Sequence, residues 1–150
     1  MAEPSDPTTP NERIRAARER AGLDLPEAAH QLGVSFEEFR DLEDFEDEVW
    51  MVFSLAELRK LAQILGLTPR LILTGDARAP GESVSFADFS RAIAESVRVD
   101  GGDADAWGER AGWDVEPLLR DPQEIWNLSP DGLRDIADAA GIDWRTVLPE

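Results

Sequence analysis

Apolar side chains in residues 23–43 recur at helical spacing in two short runs, with a glycine between them. Each run predicts one inward helix face, formed by Ala28, Ala29 and Leu32 in the first run and by Phe36, Phe39 and Leu42 in the second. Gly33 separates the runs, and glycine favours the end of a helix because it adopts positive φ at little cost. The pattern therefore predicts two helices joined by a tight turn.

Both predicted helices have the start signal of a capping box, in which a short polar residue is followed three positions later by Glu. Asp24 with Glu27 begins the first helix, and Ser35 with Glu38 begins the second. A short helix, a glycine turn and a second short capped helix are typical of a helix-turn-helix motif.

Three further helices are predicted around this motif by the same signals. Thr9 and Pro10 begin a helix that ends at Gly22, and Ser54 begins one that ends at Gly66. Thr68 begins a short helix that runs to about residue 73. In the helix after Ser54, we expect the core-facing residues to include Leu58 and Leu61.

Residues 11 to 73 resemble the lambda-repressor-like (XRE/Cro type) helix-turn-helix family. The stretch IRAARERAGLDLPEAAHQLGVSFEEF is similar to that family's first three helices, and SLAELRKLAQILGLTPRLIL to its fourth and fifth. The resemblance implies a five-helix lobe that binds DNA through residues 35–43 as a transcriptional regulator. The positions that it implies for DNA contact are Ser35, Glu37, Glu38, Arg40 and Asp41.

The carboxyl-terminal half repeats part of this pattern. SPDGLRDIADAAGIDWRTVL at 129–148 aligns with residues 54–73 at an offset of 75, and upstream the offset becomes 79. We therefore expect an all-α protein with a second, degenerate lobe of similar plan. The predicted organisation is a disordered tail at 1–10, a helix-turn-helix domain at 11–75, a linker at 76–84 and the degenerate domain at 85–150.

Composition narrows the possible functions. The chain of 150 residues carries a formal net charge of −17 and contains no cysteine. It has no apolar run long enough to span a bilayer and no secretory signal, so a cytoplasmic location is predicted. The single histidine, His30, has no second histidine or cysteine to complete a metal site. We expect no enzyme activity, no cofactor and no metal.

The strongest compositional bias lies between Glu37 and Glu48, where eight acidic residues accompany one base, Arg40. One interpretation is a solvated loop. The other is a surface that binds a basic protein partner, because acidic residues beside aromatic ones are unusual without such a partner. The predicted partner-binding residues are Glu37, Glu38, Asp41, Asp44, Glu46, Asp47 and Trp50.

Two functional hypotheses follow from these observations. In the first, the acidic helix and loop contact a basic protein, as an antitoxin-like, immunity-like or regulatory subunit would. In the second, the chain binds DNA directly through residues 35–43. Residues 1–75 carry 8 bases and 15 acids, and residues 76–150 carry 7 and 17, so both halves are negative. DNA binders gain affinity from Lys and Arg that displace counterions, which favours the first hypothesis.

The first predicted helix holds four arginines, which bear directly on the choice between these hypotheses. They are Arg13, Arg15, Arg18 and Arg20. We expect them to form a solvated face that pairs with nearby acids, and the alternative is a nucleic-acid-binding patch.

Overall fold

The computed structural model describes residues 7–148, and this part of the chain is all-helical, which confirms the predicted fold class. Most of the predicted tail at 1–10 and the last two residues of the predicted second domain lie outside the described residues. Pro10, which the cap signals place at the start of a helix and the domain bounds place in the tail, is the first residue of a helix. Between residues 7 and 148, no helix is long and apolar enough to cross a membrane.

The described chain forms two compact units. Unit one contains residues 7–53 and 57–78, and unit two contains residues 54–56 and 79–148. The helices up to residue 78 are α1 (Pro10–Arg20), α2 (Leu25–Leu32), α3 (Phe36–Asp44), α4 (Leu55–Leu65) and α5 (Pro69–Thr74), with a π-helical turn at Glu48–Val52 between α3 and α4.

The starts of α2 and α3 follow the predicted caps. The Asp24 carboxylate accepts the N–H of Glu27 at 2.8 Å, and the Ser35 hydroxyl accepts the N–H of Glu38 at 3.1 Å. Gly33 ends α2 with a φ of 85°, a left-handed conformation that explains why glycine stands there. These local interactions fix where α3 begins, and therefore which of its residues face outward.

The core of unit one contains the apolar faces that the periodicity predicts, with one exception. Phe39 and Leu42 of α3 and Leu58 and Leu61 of α4 are buried. The prediction that Phe36 faces inward is wrong, because its side chain is 39% exposed. Phe36 is the first residue of α3, and the Arg40 guanidinium one turn later lies 5.8 Å from the centre of its ring.

The helices of unit two are α6 (Phe86–Val99), α7 (Ala104–Ala111), α8 (Glu116–Arg120) and α9 (Pro130–Ala139), with 3-10 turns at Pro122–Asn127 and Trp144–Thr146. Asp103 caps α7, and Gly112 ends it with positive φ, at the positions that the repeat matches to Asp24 and Gly33. α8 has only five residues. The degenerate repeat itself remains a prediction.

Gly108 of α7 and Gly132 of α9 leave room for Trp113, which follows α7. A Cβ on Gly108 would lie 2.5 Å from the Trp113 carbonyl oxygen, and one on Gly132 would lie 3.3 Å from the Trp113 ring. The indole N–H of Trp113 donates to Asp135 of α9 at 3.0 Å. Leu133 and Ile136 of α9 are buried, at the positions that the offset of 75 matches to Leu58 and Leu61.

Candidate functional site on α3 and the segment that follows it

The outer face of α3 is acidic. Glu37, Glu38 and Arg40 are exposed and Asp41 is half-buried, while Phe39 and Leu42 fill the inner face. The cap hydroxyl of Ser35 accepts a backbone N–H, so this residue, which the DNA-binding alternative includes, contributes to starting the helix. The outer face therefore offers three carboxylates and one guanidinium, and Arg40 lies over Phe36.

The chain turns sharply where α3 ends. Phe45 has an extended conformation, its N–H donates to the Asp41 carbonyl, and its own carbonyl accepts the N–H of Glu48 at 3.2 Å. The Phe45 side chain is 57% exposed. Asp44, Glu46 and Asp47 around it are exposed as well. A large aromatic ring thus lies in solvent between carboxylates.

The π turn at Glu48–Val52 divides its apolar residues between core and surface. Val49 is fully buried and Phe53, four residues later, is 5% exposed, whereas Met51 and Val52 are each 62% exposed. Val52 follows the acidic run at a point where an apolar residue is expected to return to the core or to contact a partner, and its exposure shows that it does not return to the core. A π turn closes its hydrogen bonds over five residues, so the α-helical spacing that would place Val49, Val52 and Phe53 on one face does not apply.

Trp50 is half-buried and is held to this segment by a side-chain contact. Its indole N–H donates to Glu46 Oε1 at 3.3 Å, four residues earlier. Two of the predicted partner-binding residues thus contact each other within the segment. The Glu46 carboxylate still has capacity for a further donor, since a carboxylate accepts about four hydrogen bonds.

Glu43, which the sequence places in the acidic run, is buried and structural. Arg18 of α1 donates to its carboxylate from Nε at 2.6 Å and from Nη2 at 3.0 Å, and Glu43 has 2% of its side chain exposed. These hydrogen bonds raise the pKa of Arg18 above its ordinary value. The periodicity contains the signal, because Glu43 lies four residues after the buried Phe39 and next to Leu42.

Arg15 joins the same cluster from the solvent side. It donates to the Asp44 carboxylate at 2.6 Å and to Glu43 Oε1 at 3.4 Å. Asn11 of α1 donates to the Glu43 carbonyl at 3.1 Å. Because Asp44 is already paired with Arg15, its charge is partly neutralised, and it contributes less to the outward negative field than Glu37, Glu38 or Asp47.

The remaining arginines of α1 do not form a basic patch with these two. Arg13 donates to the carbonyls of Ile72 and Thr8, each at 2.8 Å, and partial burial lowers its pKa. Arg20 is exposed at the end of α1. The predicted pairing with nearby acids is thus observed for Arg15 and Arg18, whereas Arg13 contacts backbone oxygens.

The predicted partner-binding residues all lie on α3 and the segment up to Trp50. The structure adds Phe45 and Met51, whose exposure depends on how the chain leaves α3 and does not follow from helical spacing. Within the described residues, no group of three or more His, Cys, Asp or Glu side chains could hold a metal ion. The chemistry available is therefore hydrogen bonding and ion pairing by carboxylates beside exposed apolar groups.

Comparison with known proteins adds no assignment: no family model, no curated protein and no solved structure matches this chain.

Proposed function

We propose that this chain is a non-catalytic, helix-turn-helix type regulatory or interaction protein that binds a basic protein partner. The partner contacts the outer face of α3 and the segment after it, and the role is that of an antitoxin-like, immunity-like or regulatory subunit. The observation that carries the proposal is the pairing of Arg15 and Arg18 with Glu43 and Asp44. This pairing uses two of the four arginines of α1 within unit one and leaves the carboxylates of Glu37, Glu38 and Asp47 exposed.

Duplex DNA is a poor partner for such a surface. Its phosphates attract Lys and Arg, and affinity comes from the counterions that these residues displace. One carboxylate in a reading helix is compatible with DNA, because it can accept from the amino group of cytosine. Glu37, Glu38 and Asp41 together, with Arg40 as the only base on α3, would meet phosphates on both sides of the groove.

A basic protein surface complements the same residues. Carboxylates pair with arginine through short, charge-assisted hydrogen bonds, and an arginine fork binds both carboxylate oxygens at once. Opposite charges on two partners also accelerate association in a salt-dependent manner. The proposed partner is therefore a protein with an Arg- and Lys-rich face.

Site-specific photocrosslinking tests the proposal directly. A photoreactive phenylalanine analogue at position 38, on the outer face of α3, should crosslink a protein in the native host, and mass spectrometry identifies it. The matched probe replaces Glu109, an exposed acidic residue on α7 of unit two, and should not crosslink that protein. A crosslink to nucleic acid at position 38, or the same protein at both positions, would contradict the proposal.

Charge reversal then tests the identified partner with purified components. Glu37, Glu38 and Asp41 are replaced by Lys in one variant, and the exposed residues Glu82, Glu109 and Asp138 in the other. Each reversal adds two charges, so both variants move from −17 to −11. We expect only the first variant to lose binding. An equal loss in both would mean that net charge, and not α3, directs the interaction.

A further inference from the structure

Exposed apolar side chains are concentrated in the acidic part of unit one. Five large hydrophobic residues are exposed within residues 7–148, and four of them lie between positions 36 and 52: Phe36, Phe45, Met51 and Val52. The fifth is Val99, on α6 of unit two. We call residues 36–52 the acidic–apolar segment, because it also contains the eight acidic residues that begin at Glu37.

The exposure of Met51 and Val52 is built into the backbone. Val49 and Phe53 are buried on either side, so the π turn is held in place while Met51 and Val52 between them point to solvent. Turns of the π type are rare in proteins, and those that do occur are often found at functional sites. Phe36 is partly covered by Arg40, which leaves Phe45, Met51 and Val52 as the uncovered apolar groups.

The charges around these apolar groups restrict what can cover them. Asp44, Glu46 and Asp47 are exposed and lie next to Phe45 in the chain. Asp44 also forms an ion pair with Arg15. Nucleic acids and anionic lipid surfaces are repelled by such carboxylates. A complementary occupant needs apolar groups to cover Phe45, Met51 and Val52, and Lys or Arg to pair with the exposed carboxylates of the same segment.

We infer that the acidic–apolar segment binds a cationic, amphipathic helix of the protein partner, with the apolar stripe of that helix on Phe45, Met51 and Val52. The inference rests on the proposed function and names the recognised element of its partner. An amphipathic helix presents apolar anchors at i, i+3, i+4 and i+7 with basic residues beside them. Addition of an extended peptide to a sheet edge requires a strand, and residues 7–148 contain none.

The two kinds of residue have separable effects on binding. Carboxylates at the border of an interface mainly change the association rate and its salt dependence, because they act on the encounter of the partners. Apolar contacts formed after docking mainly change the dissociation rate. Loss of Met51 or Val52 should therefore accelerate dissociation, and loss of Glu46 or Asp47 should slow association.

Two synthetic helical peptides serve as defined probes. The first contains leucine and lysine in a pattern that places all leucines on one helix face, and the second has the same composition with the pattern scrambled. Their equal charge separates amphipathic recognition from general attraction to an acidic protein. We expect the first peptide to bind the full chain about tenfold more tightly than the second, as measured by surface plasmon resonance at moderate salt.

Substitutions at exposed positions locate the binding. Met51→Ser and Val52→Ser should each weaken binding of the first peptide by about five- to tenfold through faster dissociation. Val99→Ser is the matched control, since Val99 is 71% exposed but lies in unit two, and its effect should stay below about twofold. Circular dichroism of each variant verifies that the helical content is unchanged.

The outcomes of these experiments distinguish failure of the inferred helix binding from failure of the proposed function. If both peptides bind equally and Glu37, Glu38 and Asp41 are still required, the inference is overturned and the proposed function stands. If the charge reversals also have no effect on either peptide or on the crosslinked protein, the proposed function fails as well. Binding of wild-type protein to zwitterionic vesicles that is lost in Val52→Ser would overturn the inference in favour of a lipid surface.

Discussion

Arg18 holds the buried carboxylate of Glu43 through two hydrogen bonds, from Nε at 2.6 Å and from Nη2 at 3.0 Å. This pair connects α1 to the last turn of α3, where the acidic–apolar segment changes direction. The last turn of α3 contains no base of its own. Carboxylates are unfavourable near a helix C-terminus, so the arginines of α1 supply the positive charge that this end requires.

Removal of one partner of this pair should be costly. We expect Glu43→Ala to lower the free energy of unfolding by about 3 kcal/mol, because the Arg18 guanidinium, with 12% of its side chain exposed, loses its carboxylate. Asp44→Ala removes the more exposed pair with Arg15 and should cost less than about 1 kcal/mol. Urea denaturation of both variants provides the measurement.

A double substitution distinguishes pairing from simple packing at the same site. Arg18→Met with Glu43→Leu leaves no buried charge unpaired, so the double variant should be more stable than Glu43→Ala. If Glu43→Ala and Asp44→Ala have equal effects, the buried pair does not fasten α1 to α3 as the geometry indicates.

The buried face of α4 should account for much of the stability of unit one. Leu61→Ala removes a side chain that is 1% exposed and should cost roughly 2–5 kcal/mol, from lost burial and from the cavity left behind. Gln63→Ala, at an exposed position of the same helix, should change the free energy of unfolding by no more than about 0.5 kcal/mol. A loss below about 1 kcal/mol for Leu61→Ala would show that this face is not packed.

Gly108 should not accept a methyl group, even though alanine favours helices. The added Cβ would lie 2.5 Å from the backbone oxygen of Trp113, which cannot move without shifting the chain. We expect Gly108→Ala to destabilise the protein by about 1–3 kcal/mol. Gly81→Ala is the control, because no atom beyond its own residue and its two chain neighbours lies within 4 Å of its Cβ position. A stabilised Gly108→Ala variant would contradict the close approach.

Stability at acidic pH should depend in part on Asp143. Hydrogen bonds from Arg145 hold the pKa of Asp143 below its ordinary value. A carboxyl with a depressed folded pKa stabilises the fold above its unfolded pKa, and this contribution disappears as the pH falls through the folded pKa. Asp143→Asn should therefore lower the free energy of unfolding by under about 1 kcal/mol at pH 6. The difference between the two proteins should begin to shrink below about pH 4 and should vanish once the pH is below the folded pKa of Asp143.

Thermal unfolding of both proteins across this pH range provides the measurement. Asparagine is also a good N-cap, so the turn at residues 144–146 should survive the substitution. If the stability difference between wild type and Asp143→Asn grows as the pH falls, its sign is opposite to the one expected. That result would contradict a stabilising role of the Asp143 carboxylate with a lowered pKa.

Local sequence signals predict much of the helical structure because their causes are local. Asp24, Ser35 and Gly33 act within one helical turn, so their roles follow from spacing alone. The inward positions of Phe39 and Leu42 likewise follow from the helical period. Phe36 shares that period and is nevertheless exposed, because a residue in the first turn depends on which neighbours reach that end of the helix.

The candidate site was only partly predictable, because it depends on contacts between distant residues. Glu43 looks like its acidic neighbours in composition, and Arg18, which neutralises it, lies 25 positions earlier. The exposure of Val52 depends on a π turn, which α-helical periodicity does not predict. The acids that are truly outward, such as Glu37 and Glu38, were identified because short-range helix geometry determines their direction.

The most direct measurement of the central claim is a titration of fluorescein-labelled duplex DNA with the full chain at about 50 mM salt, where non-specific binding is strong. The acidic outer face of α3 predicts no saturable change in anisotropy up to tens of micromolar protein. The variant with Glu37, Glu38 and Asp41 replaced by Lys should gain DNA affinity over the matched variant at Glu82, Glu109 and Asp138. Binding of the wild-type chain at micromolar or lower concentration would contradict the claim that α3 is a surface for a basic protein.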